Sequence, residues 1–197
     1  FRRVLFRSYD IALEQSVVNS SGVPLRVQWR QFGPGDLALD ETTYLKDIRR
    51  FHFGYLMNTD RDPGQDHVLH SGMMLERNAA IGMAETYAED PVDSMLWPTE
   101  AARSDGFSLS WFGSTNRYFA LCIHAPYDPP DRPSKRLAAV ESINPVVGGP
   151  DDDRTLTTSL IGTQLEVAPG GTAHWDMGVY AGPLERDRKS TRLNSSH

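Results

Sequence analysis

From Tyr9 to Val18 apolar positions alternate with polar ones (Ile11, Leu13, then Val17), and after Asn19-Ser20-Ser21-Gly22 the alternation resumes with Leu25, Val27 and Trp29. A period of two is that of a half-buried strand, and the residues between tolerate positive φ or cap locally, so the pattern predicts a hairpin. Gly33-Pro34-Gly35 then breaks the chain. Residues 40–50 are charged and fit a short helical turn; 51–56 form an aromatic strand, and 58–66 a polar turn. Residues 73–88 carry Met74, Ala80, Met83, Ala84 and Tyr87 among good helix formers and are the best helix candidate.

The clearest hairpin follows. Phe107, Leu109 and Trp111 alternate with Ser108 and Ser110; after Gly113-Ser114-Thr115-Asn116 comes a second strand, 118–125. There Phe119, Leu121 and Ile123 share one face, and Tyr118, Ala120, Cys122 and His124 the other. Two largely apolar faces predict a central strand covered on both sides. Residues 128–133 and 144–153 read as loops from their proline, glycine and aspartate content, while 136–143, 154–160, 164–167 and 173–180 read as strands. About nine strands and at most two short helices, with no fixed repeat, predict an all-β fold: a β-sandwich of antiparallel sheets.

Composition narrows the classes. The 197 residues are 39% hydrophobic, with 20 basic and 26 acidic side chains. That is one ordinary domain or two small ones. No stretch approaches the roughly 20 apolar residues of a membrane-spanning helix. The single Cys122 excludes an internal disulfide and a multi-cysteine zinc site, and the acidic balance argues against a nucleic-acid surface.

Both ends look foreign. Residues 1–8 (FRRVLFRS) can be encoded by TTC AGA CGT GTG CTC TTC CGA TCT, whose reverse complement, read one base in, encodes Asp187-Arg188-Lys189-Ser190-Thr191-Arg192-Leu193 and the start of Asn194. Ends that are antisense copies of one oligonucleotide resemble translated sequencing adapter, so 1–8 and 187–197 are set aside and 9–186 is taken as the biological domain. Within it remain 14 basic against 25 acidic side chains, a net charge of −11.

Several constellations could carry chemistry. Asp60, Asp62 and Asp66 with Gly64 suggest a calcium loop, but counting from Asp60 the fifth position is Gly64, the sixth Gln65 and the twelfth Ser71, so the register fails and a solvated turn accounts for them. His67 and His70, three apart beside Asp66, could share a metal, yet spacing marks no third ligand, and surface histidines are the plainer reading. His124 and His174 could act as general acids with Glu141, Glu166 or Glu185; packed or edge histidines are the plainer reading here too. Cys122 reads as a small core residue, and Asp151-Asp152-Asp153 as a solvated loop tip. There is no phosphate loop and no Gly-x-Ser-x-Gly elbow.

Three places together resemble the periplasmic domain of bacterial YidC-type (YidC/Oxa/Alb family) membrane protein insertases. Val17 to Leu25 resembles the family's strand, asparagine-containing turn and restart; Trp111-Phe112-Gly113-Ser114-Thr115-Asn116-Arg117-Tyr118-Phe119-Ala120 is similar to its Trp-x-Gly-x-x-x-x-Tyr-Phe hairpin; Gly178-Val179-Tyr180-Ala181-Gly182-Pro183-Leu184-Glu185 is similar to its Tyr-x-Gly-Pro-Lys element. Leu184 replaces the usual lysine, and the stretch from Thr42 to Arg103 matches nothing in the family, which marks a divergent subfamily.

The resemblance implies a large twisted supersandwich, galactose-mutarotase-like, on the periplasmic side of the inner membrane between a first transmembrane helix and a five-helix insertase core. It implies an accessory docking module rather than an enzyme, with the SecD-SecF components of the Sec translocon and nascent membrane proteins as partners. It implies no cofactor, and its motifs supply fold landmarks, so no residue is assigned a catalytic, cofactor-binding or metal-binding role. Two other readings stay open. A sugar mutarotase-like enzyme would need His124 or His174 joined to a carboxylate in one cleft. A carbohydrate-binding module would need exposed rings, with Trp97, Trp175 and Tyr127 as candidates.

Overall fold

The computed structural model describes residues 9–38, 47–56, 69–87, 89–90, 94–128, 132–133, 136–137, 139–150 and 154–184. The adapter-like ends, the turn at 58–66, Asp151 to Asp153 and most of the charged stretch at 40–50 lie outside the described residues.

Among the described residues, alternating apolar positions make thirteen strands: β1 Asp10–Val18, β2 Leu25–Val27, β3 Arg30–Phe32, β4 Arg50–Leu56, β5 Leu69–Glu76, β6 Ser108–Thr115, β7 Phe119–His124, β8 Tyr127–Asp128, β9 Arg132–Pro133, β10 Val140–Gly148, β11 Thr155–Gly162, β12 Leu165–Val167 and β13 Thr172–Pro183. Helices α1 (Arg77–Thr86) and α2 (Glu100–Asp105) lie between β5 and β6. One antiparallel sheet runs β1-β13-β7-β6-β4-β5 and a second β10-β11-β3. Their facing sides share one core, to which the larger sheet gives Phe51, Phe53, Phe112, Ile123 and Met177, the smaller Ile143, Leu156 and Leu160, and the helical segment Ala80, Trp97 and Ala102. Phe112 is the hinge of this packing, 5.7 Å from Phe51 and 4.9 Å from Phe53 between ring centroids; each such ring contributes about 1.5–3 kcal/mol by burial. The fold is an all-β antiparallel sandwich with two short helices, as the periodicity predicts.

The described part of the stretch from Thr42 to Arg103 is no appendage. It supplies β4 and β5 to the larger sheet, α1, and the first four residues of α2. A buried ionic cluster ties it down: Asp36 Oδ2 accepts from Arg77 Nε and from the Leu156 amide, both at 2.9 Å, and lies 3.8 Å from Arg49, which also grips Asp47 at 2.8 Å. Burial pushes the Asp47 carboxyl up, but the Arg49 hydrogen bonds and charge outweigh it and hold it below its ordinary range.

The local pattern misleads in four places. The predicted opening hairpin does not form: β1 pairs with β13 and β2 with β12, so segments 10–27 and 165–183 run antiparallel as one ribbon interrupted by turns on both sides. Residues 73–76 continue strand β5, and the helix begins only at Arg77, whose guanidinium reaches Asp36. Residues 144–148, expected as loop, belong to β10 despite Pro145. Ile143 exchanges both backbone bonds with Trp97, away from β11, and Pro145 two residues on turns its nitrogen the same way, where no ladder bond to β11 is lost. Finally, β7 is central between β13 and β6, but Phe119 at its start is exposed.

Candidate functional site

Among the described residues, titratable and aromatic side chains gather on the outer face of the larger sheet. Register places Gly178 of β13, His124 of β7, Trp111 of β6 and Gly54 of β4 in one row across four strands, with Tyr180, Cys122, Gly113 and His52 in the next. The glycines shape this face. A Cβ on Gly54 would collide with the Trp111 indole, and one on Gly178 with the His124 imidazole, so each ring lies flat over its neighbouring strand.

Because Gly178 leaves the path open, His124 reaches across β13 to β1. Its Nε2 lies 3.2 Å from Asp10 Oδ1 and its Nδ1 2.8 Å from the Ala125 carbonyl. Both ring nitrogens are thus engaged, Nδ1 locally with the next residue and Nε2 across the sheet with β1. Beside it the Cys122 thiol donates to the Ile123 carbonyl, and burial, then the Asp10 charge, push its pKa up to about 12. Such a thiol is not a nucleophile near neutrality. Alkylation of Cys122 by iodoacetamide at about pH 8 is therefore expected to be at least about tenfold slower in the folded protein than in urea; equal rates by mass spectrometry would refute the burial.

One row on, His52 Nε2 lies 2.9 Å from Thr115 Oγ1, and burial, with the Arg50 charge adding to it, holds its pKa below the ordinary 6.5. The unfolded chain takes up that proton at higher pH than the folded chain does. The contribution of His52 to stability is therefore whole above 6.5 and is lost as pH falls through the folded value. His52→Asn is expected to flatten the fall in urea midpoint between about pH 7 and about pH 5 relative to the unaltered chain, measured by fluorescence.

The remaining candidates disperse. His174 is exposed on β13 opposite Ser16, Glu141 faces Gln28 at 3.5 Å, and Glu166 makes an exposed pair with Arg26 at 4.0 Å. Among the described residues, Glu141 and Glu166 are engaged elsewhere, and the carboxylate that meets His124, Asp10, lies 114 residues away in the chain and carries no local signal. Trp97 and Trp175 are each 4% exposed, so neither is the surface platform expected of it. Tyr127 lies in β8, and His70 in β5 opposite Tyr55. Asp60, Asp62, Asp66, His67 and Glu185 lie outside the described residues. Among the described residues no three His, Cys, Asp or Glu side chains group as metal ligands, and no helix is long and apolar enough to cross a membrane.

Compared with known proteins, the chain matches no protein-family model and no curated protein.

Proposed function

We propose that this chain is the periplasmic accessory domain of a divergent YidC-type membrane protein insertase, a docking module for Sec translocon components such as SecD-SecF and for nascent membrane proteins. One observation carries the reading. The strand residues of the three family-like motifs, Val17 and Val18, 111–115 with 119–120, and 178–183, fall on neighbouring strands in the order β1-β13-β7-β6, with the turn after β1 stitched to the turn before β13 by the Asn19 amide–Gly171 carbonyl and Gly170 amide–Asn19 carbonyl bonds. Sequence likeness thus coincides with one contiguous structural unit.

The test is recovery of genomic DNA across both adapter junctions. A hydrophobic helix encoded upstream and several hydrophobic segments soon after Glu185 are expected; a cleavable signal peptide with a stop codon near Arg186 would overturn the insertase reading.

The His124–Asp10 pair favours a second reading, the mutarotase-like enzyme. Engagement of both imidazole nitrogens weighs against it, because a general acid needs a nitrogen free for substrate. Polarimetry of α-glucose with and without the protein is expected to show no acceleration; an acceleration lost in His124→Ala would reinstate the enzyme.

A further inference from the structure

Strand β1 closes the larger sheet on one side, and among the described residues it pairs with β13 alone. Its nine residues, Asp10–Val18, keep an unbroken register without proline or bulge, and its only charged side chains are Asp10 and Glu14. The Asn19 amide donates to Gly171 at 2.9 Å on the β13 side. By the alternation of an antiparallel ladder, the odd residues of β1 point their backbone groups at β13, and Ala12, Glu14 and Ser16 point theirs outward.

The side chains along this edge say what would fit it. Ile11 and Val17, on the core-facing side, are 61% and 40% exposed. On the other side Glu14 stands directly opposite Asp176, two exposed carboxylates in register and without an ion pair among the described residues. Like charges set opposite each other repel, and a cation arriving beside them relieves that. An added strand would bring alternate side chains onto Ile11 and Val17 and the intervening ones beside Glu14, with Asp176 one strand further on, roughly 10 Å from the added strand.

We propose that β1 is a docking edge for an extended polypeptide segment in which apolar residues alternate with lysine or arginine, bound as a seventh strand by backbone hydrogen bonds to Ala12, Glu14 and Ser16. The inference goes beyond the insertase reading and does not depend on it: flanking DNA without membrane segments would sink that reading and leave this one standing.

The test uses the full chain and four fluorescein-labelled nine-residue peptides: valine alternating with lysine, valine alternating with glutamate, and the lysine peptide N-methylated at alternate residues in each of the two phases. The lysine peptide is expected to bind by anisotropy and to slow amide exchange at Ala12, Glu14 and Ser16. The glutamate and the bond-blocking N-methylated peptides are expected to bind at least about tenfold more weakly, and Glu14→Lys to reverse the preference between lysine and glutamate. Absence of binding, binding that leaves those three amides unprotected, or equal binding of both N-methylated forms would overturn the proposal. Protection of the same amides without peptide, growing with protein concentration, would assign the edge to a second copy of this chain and overturn it equally.

Discussion

Replacing Asp36 with asparagine is expected to destabilise the fold by about 3–5 kcal/mol, the range for removing one partner of a buried ion pair. Asp36 is 14% exposed at its side chain, and the two guanidiniums it faces, on Arg77 and Arg49, are 12% and 15% exposed. Arg49 keeps Asp47, so the loss falls chiefly on Arg77, left with the Arg154 carbonyl as its acceptor in that cluster. The carboxylate also accepts the Leu156 amide, so one side chain joins the approach to β4, the first turn of α1 and the start of β11. Urea unfolding should show a midpoint lowered by about 1–3 M at unchanged slope. The double variant with Arg77→Met should recover part of the loss, since no unpaired charge then stays buried. A change below about 1 kcal/mol, the worth of a surface pair, would mean that water solvates the cluster.

The second large effect is expected at Asn19. Its side chain, 1% exposed, donates to the carbonyls of Val23 and Val167 at 2.8 and 2.9 Å and accepts from the Ser21 amide and hydroxyl at 2.9 and 2.7 Å. Of the four bonds, those to Ser21 and Val23 close the turn after β1 on itself and the one to Val167 ties it to β12. Asn19→Ala leaves the Val167 carbonyl and the Ser21 amide without these partners and should cost about 2–4 kcal/mol in urea unfolding. Asn19→Asp keeps the shape but aims an oxygen at two carbonyl oxygens, so it should cost at least as much as alanine. If aspartate proves milder than alanine, the filled volume matters more than the donated bonds.

These two residues also mark how far the sequence could be read. The β6–β7 hairpin was legible because both strands and their turn lie within 17 residues, and Asn116 closes the turn by accepting the Tyr118 and Phe119 amides. The aromatic strand β4 was legible for a similar reason: Phe51 and Phe53 alternate with half-buried neighbours. The opening stretch carried equally clear periodicity, yet Asn19-Ser20-Ser21-Gly22 serves as a crossing point between two distant segments instead of a hairpin turn. A polar turn looks the same in sequence whether its side chain bonds locally or to a carbonyl 148 residues away, as Asn19 does with Val167. The helix boundary slipped for another reason. Met73 to Glu76 suit a helix by propensity, but the sheet offered them a ladder against β4, and tertiary pairing outweighs a few tenths of a kcal/mol of propensity.

The candidate site was less legible than the fold. His124 stood out as a residue type, but its meaning depends on Asp10 and on Gly178 lying between them across three strands. By itself the sequence determined the class of the fold, because a period of two repeated along the chain can bury its apolar faces only in sheets packed on one another. It also determined the acidic character of the domain and the adapter-like nature of its ends. Only the tertiary structure decided which strands pair, that Phe51, Phe53, Ala80 and Trp97 from the stretch between Thr42 and Arg103 belong to the core, that Asp10 meets His124, and that among the described residues β1 is left as an edge. Periodicity reports which way a side chain faces; partners in a sheet are chosen by register and packing between residues far apart in the chain, which no local pattern encodes.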